Sequence, residues 1–143
     1  MDDEHVFQKH AKSINKLVQA NGLAGIGSHG QLQGLGYHWE LWAIQSGGMS
    51  NHDALKVATI LGATGLGLDK DLGSIETGKL ADILVLEKNP LDNIRNSNTI
   101  QYVIKNGKVY DASNCNEIYP ETKKYSRKEW MDERPVKNTD VAE

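Results

Sequence analysis

The residues best suited to chemistry gather in one stretch, Gly22–Leu41, which reads GLAGIGSHGQLQGLGYHWEL. It holds His29 and His38, two of the five histidines, with Gln31, Glu40 and six glycines: Gly22, Gly25, Gly27, Gly30, Gly34 and Gly36. Neutral imidazole binds transition metals and serves as a base near neutral pH. A single ring nitrogen on a loop does not hold zinc alone, since zinc sites take three or four ligands. His29 therefore reads as a candidate base, or as one ligand of a larger set. The alternative is a loop histidine hydrogen-bonded to backbone. Gln31 offers an amide to the rim of a site, and His38 a contact to substrate or to the groups behind it. His38 and Glu40 are two apart and diverge on a helix, so Glu40 reads as a paired polar group. A glycine-rich loop opening into a helix also suits phosphate. Here it lacks the Gly-Lys-Ser/Thr ending, and Gly34-x-Gly36 has no third spaced glycine, which argues against a nucleotide loop.

The elements around this stretch read as an α/β chain. Residues 1–21 are expected to be a helix, opened by Asp2, Asp3 and Glu4 and striped by Val6, Phe7, Ala11, Ile14, Leu17 and Val18. Asn21-Gly22 stops it, and His5 and His10 fall on the solvated side. Leu23–Gly27 is short and small-sided, which suits a buried parallel strand with helices beside it. Such a strand needs neighbours, and the chain offers none nearby. A second helix is expected from Leu35–His38 to Gln45, ended by Gly47-Gly48. A third begins at Ser50, where Ser50-x-x-Asp53 is a capping box with Asp in place of Glu; Gly65 and Gly67 end it, and His52 near its start is exposed. Beyond it, Ala81–Leu86, Ile100–Ile104 and Lys108–Asp111 read as strands of a small antiparallel sheet. Asn106-Gly107 between the last two is a type I′ hairpin signal. From Asn116 onward the chain is polar, and 133–143 is expected to be disordered. The divisions are 1–71, 72–112 and 113–143.

Composition narrows the classes of partner. The chain has 143 residues, a net charge of −3 and a single cysteine, Cys115. An acidic balance argues against nucleic-acid or anionic-membrane partners. One cysteine excludes an internal disulfide without fixing the compartment. No apolar run approaches the roughly 18 residues of a membrane span, and the acidic amino terminus is unlike a signal peptide. Localisation stays open.

Several runs in series carry a resemblance. They are Gly27–Leu41; Ser50-x-x-Asp53-Ala54-Leu55; Leu66-Gly67-Leu68; Gly73-Ser74-Ile75-Glu76-x-Gly78-Lys79-Leu80-Ala81-Asp82-Ile83-Leu84-Val85-Leu86; Asn89-Pro90-Leu91; and Val103-Ile104-Lys105-Asn106-Gly107. Together, over roughly 25–112, they resemble the carboxy-terminal part of the metal-dependent amidohydrolase superfamily. The glycine-rich run is similar to the imidazolonepropionase-like branch, whose larger members carry a TolB-type β-propeller upstream.

The resemblance implies a carboxy-terminal fragment of a (β/α)8 TIM-type barrel, plus part of an accessory antiparallel β-sandwich. Leu23–Gly27 would be the last barrel strand, with the flanking helices closing the barrel. A whole barrel takes about 250 residues, so the chain would hold under half of the enzyme. It implies a hydrolase of C–N bonds in a small-molecule amide or cyclic amide, with a divalent metal, zinc foremost. The family's other metal-binding motifs do not occur here. Many members end the last strand with an Asp at the metal, where this chain has Ser28-His29, so His29 becomes the candidate ligand or base of the intact parent. The chain alone is expected to be inactive and to lack most of the metal site. The alternative is a non-catalytic module that self-associates as a homo-oligomer through exposed strand edges.

Overall fold

The computed structural model describes residues 6–28, 32 and 34–125. The acidic start Asp2–Glu4, His5, His29, Gln31 and the segment 133–143 lie outside the described residues. Helix α1 (Val6–Gln19) turns Ala11, Ile14 and Val18 to the core, while Phe7 and Leu17 of the expected stripe stay about half exposed. Asn21, at φ 60°, caps it, and the Gly22 amide donates back to the Leu17 carbonyl at 2.8 Å. This is the left-handed stop that Asn-Gly favours.

Leu23–Gly27 runs extended but joins no sheet. Its side chains alternate as a strand's do: Ala24 and Ile26 pack on the core, while Leu23, Gly25 and Gly27 are exposed. Strand pairing needs neighbours, and the described residues supply none on either side.

Helix α2 (Leu35–Gln45) buries Leu41 and Ile44. The following turn crosses α1 so closely that a Cβ on Gly47 would lie 2.3 Å from the backbone carbon of Ala11. Ser50 then caps α3 (Asn51–Lys56). Its hydroxyl accepts from the Asp53 amide at 3.0 Å and donates to the Asp53 carboxylate at 2.8 Å. The helix passes through a π-helical turn, Val57–Leu61, into α4 (Gly62–Gly65). The core is Val18, Leu41, Ile44, Met49, Ala54, Val57 and Ile94. Of these, Leu41, Met49 and Val57 are the largest fully buried side chains, each contributing about 1.5–3 kcal/mol by burial.

Four strands follow: β1 (Ile83–Leu86), β2 (Ile100–Lys105), β3 (Lys108–Asp111) and β4 (Glu117–Tyr119). They form an antiparallel meander in the order β1-β2-β3-β4. Asn106 and Gly107 make the hairpin turn with φ 49° and 77°. Asp82 braces this turn by accepting from the Asn106 amide at 2.8 Å and pairing with Lys105. Two features correct the expectations. The polar region from 113 supplies β4, whose Glu117 is buried and faces Lys108 at 3.6 Å. The β1–β2 connection contains a 3₁₀ turn, Ile94–Asn98, which plugs Ile94 into the helical core.

The GSIExGK run is a self-closed turn. Lys79 Nζ donates to Ser74 Oγ at 2.5 Å and sits 3.2 Å from Glu76, whose carboxylate accepts from the same serine. Gly73 and Gly78 both take φ 95°, the region glycine adopts without strain.

Candidate functional site

The end of Leu23–Gly27 meets the start of α2, and two hydrogen bonds and one close approach organise the meeting. The Gly27 amide donates to Glu40 Oε1 at 3.3 Å. Ser28 lies over Gly36, where a Cβ would sit 3.8 Å from the serine Cβ. Tyr37 Oη donates to the Ala58 carbonyl at 2.8 Å, inside the π-helical turn. Such turns leave backbone groups out of the regular ladder and recur at functional sites. Burial, with the charge of Glu40 second, raises the Tyr37 pKa, so the phenol is a donor at neutral pH.

The segment approaches the helix beneath it at a glycine pair. A Cβ on Gly25 would be 3.1 Å from Gly62 Cα, and one on Gly62 would be 3.5 Å from Gly25 Cα. Beside this contact runs a trough of about 270 Å³, lined by Leu23–Gly27 with Leu61, Gly62, Gly65 and Leu66. Its lining side chains are all apolar or absent, so it is a packing surface and not a polar ligand site.

His38 does not line the trough and faces the connection between β1 and β2. Its Nδ1 lies 3.1 Å from Ser97 Oγ, in the 3₁₀ turn. Trp42 Nε1 donates to the same hydroxyl at 3.0 Å and to the Ile94 carbonyl at 3.1 Å. The Arg95 guanidinium stacks 4.3 Å over the Trp42 ring, a cation–π contact. Burial lowers the His38 pKa. A neutral ring and a buried Ser97 thus tie α2 to the connection between β1 and β2.

His29 and Gln31 lie outside the described residues, so the structure places neither. Glu40 is the paired polar group that its spacing suggests, with the Gly27 amide as partner. The His52 side chain is 72% exposed and 3.9 Å from Asp53; His10 is exposed. The roles of Tyr37, Trp42 and Ser97 escaped sequence reasoning. The i, i+4 spacing of His38 and Trp42 is a signal for one shared helical face, whereas nothing local marks Ser97. Among the described residues no group of three His, Cys, Asp or Glu side chains converges on a point. By themselves they do not fit a zinc ion, which needs at least three protein ligands. Nor is any helix among them long and apolar enough to cross a membrane.

Comparison with known proteins agrees with these motifs. Residues 2–110 match the model of the amidohydrolase family. A 5-methylthioadenosine/S-adenosylhomocysteine deaminase of Teredinibacter turnerae is 33% identical over 84 residues, 57% of this chain and 19% of that protein. A 5'-deoxyadenosine deaminase of Methanobrevibacter smithii is 34% identical over 68 residues, 48% of this chain and 15% of that one. The crystal structure of a Xaa-Pro dipeptidase with methionine bound in its active site superposes with a TM-score of 0.62 at 29% identity. It covers 71% of this chain and 25% of its own. The chain thus spans less than a fifth of the length of the curated relatives it matches. On a family match running through the helices and most of the sheet, this chain belongs to the amidohydrolase family.

Proposed function

We propose that the chain is the carboxy-terminal part of a metal-dependent hydrolase of C–N bonds. In this reading Leu23–Gly27 is the last strand of a (β/α)8 barrel, α2 to α4 close it, and β1 to β4 belong to an accessory β-sandwich. The observation that carries it is the extended segment laid over Gly62 with both edges unpaired among the described residues, within a stretch that matches the family. A free parallel edge on each side is what a barrel strand has when its neighbours are elsewhere.

The substrate class is a small amide or cyclic amide. The deaminase and dipeptidase relatives support C–N chemistry in general and leave the leaving group open. A divalent ion, with zinc foremost, supplies a Lewis acid in such a family; most of its ligands would come from outside the described residues. His29, two residues past the strand end in the sequence, is the chain's candidate ligand or base, and Gln31 a rim amide. His38, bonded to Ser97, is better suited to fixing α2 than to touching substrate.

The test is elemental analysis and light scattering of the purified 143-residue protein, with ammonia and amino-acid release measured from a deoxyadenosine and an Xaa-Pro dipeptide. The expected result is neither stoichiometric metal nor turnover. Stoichiometric zinc on an active monomer overturns the incomplete-site reading. A second reading, self-association as a homo-oligomer, is favoured by the same unpaired edges and by Leu66, which is 77% exposed. A dimer or larger assembly in light scattering supports it, and a monomer removes it.

A further inference from the structure

We propose that Glu40 is a positioning residue for the end of the Leu23–Gly27 segment, its carboxylate setting where Gly27 and Ser28 leave the strand. This rests on the reading above, in which that strand end carries the site.

Among the described residues, Gly27 to Glu40 is the one hydrogen bond the segment 23–28 makes. Everything else that holds it is apolar or merely close: Ala24 and Ile26 against the core, and Gly25 over Gly62. Contacts of that kind fix how deep an extended segment lies and resist sliding along its axis weakly. Glycine-rich strands are the ones whose register is poorly specified. A directional bond at the last residue, here 3.3 Å long, limits that freedom. Glu40 is suited to the task because its own backbone is fixed. Leu41 beside it is buried, Tyr37 is tied to Ala58, and Trp42 is tied to Ile94 and Ser97. The carboxylate therefore transmits the position of α2 to the strand end.

The experiment uses the full chain, isotopically labelled, with Glu40→Ala and Glu40→Gln variants. Amide exchange is read at Gly27, and at Leu41 and Ile44 as reporters of the fold. Glu40→Ala is expected to speed Gly27 exchange by about ten-fold or more, with Leu41 and Ile44 unchanged. Glu40→Gln, which keeps an acceptor oxygen, is expected to restore most of the protection. A general loosening of the helix would move the two reporters as well and would not be rescued by Gln. A scalar coupling between the Gly27 amide nitrogen and the Glu40 side-chain carboxyl carbon in the wild type reads the bond without any variant. Gly27 exchange indifferent to Glu40→Ala, equal loss in both variants, or no such coupling overturns the proposal. None of these readouts involves metal or substrate, so failure of the hydrolase reading registers separately, in the metal and turnover measurements.

Discussion

Tyr37 and Ala58 are joined by a 2.8 Å hydrogen bond from the phenol of α2 to a carbonyl oxygen within the π-helical turn. The bond spans two helices that both face the extended segment. It gives the irregular turn a partner that a regular helix would not need. Tyr37→Phe keeps the ring and deletes the donor. We expect a loss of about 1–2 kcal/mol, read as a lower urea midpoint at unchanged m-value. An unchanged midpoint would show that the carbonyl is satisfied without the phenol.

Ser50 caps α3 through the Asp53 amide. Ser50→Ala removes the acceptor and is expected to cost about 1 kcal/mol; Ser50→Asp, another good cap, should recover part of it. Equal midpoints for the wild type and the alanine variant would remove the cap from the account of why the helix starts there.

Gly47 and Gly65 differ in what surrounds them. A methyl group on Gly47 would meet the backbone of Ala11 at 2.3 Å, whereas one on Gly65 would meet nothing within 4 Å. Gly47→Ala forces α1 away from the turn and should cost about 1–3 kcal/mol. Gly65→Ala should be neutral or stabilise α4 by about 0.5–1 kcal/mol. Thermal melts of the two variants check the ordering, and a Gly47→Ala protein as stable as wild type would contradict the close approach.

His38 makes stability depend on pH in a definite direction. Burial lowers its folded pKa below the usual 6.5, so below that value the unfolded chain takes up a proton that the folded chain resists. The contribution is complete above 6.5 and is lost as pH falls from there through the depressed folded value. Denaturation midpoints compared across about pH 8 to 5 should fall on the acid side, and His38→Asn should flatten that part of the profile. An identical acid slope in the variant would assign the effect elsewhere.

The elements legible in the sequence are those whose signals are local. Asn21 and Gly22 close α1, Ser50 and Asp53 open α3, and Asn106 and Gly107 turn the hairpin, each through chemistry confined to a few residues. What escaped depends on distant partners. Leu23–Gly27 is the exception: it already reads as a strand in want of neighbours, and among the described residues it has none. Glu117–Tyr119 is too short and polar to stand out, and becomes β4 because the β3 edge and Lys108 receive it. Gly25 and Gly62 are both visible as glycines, but only the folded chain shows that they face each other. At the site, Glu40 was legible as a paired group, while Ser97 drew no attention, because its two partners come from a helix more than fifty residues upstream.

Ile94 belongs by sequence to the connection between two strands and by packing to the heart of the helices. A boundary drawn between the helical and sheet portions therefore cuts through shared interior. Melting the sheet withdraws a side chain from under Leu41 and Trp42; melting the helices strips the 3₁₀ turn of its seat. The two halves should lose their structure in one cooperative transition, and a protease nick near Asn93 should unlatch both.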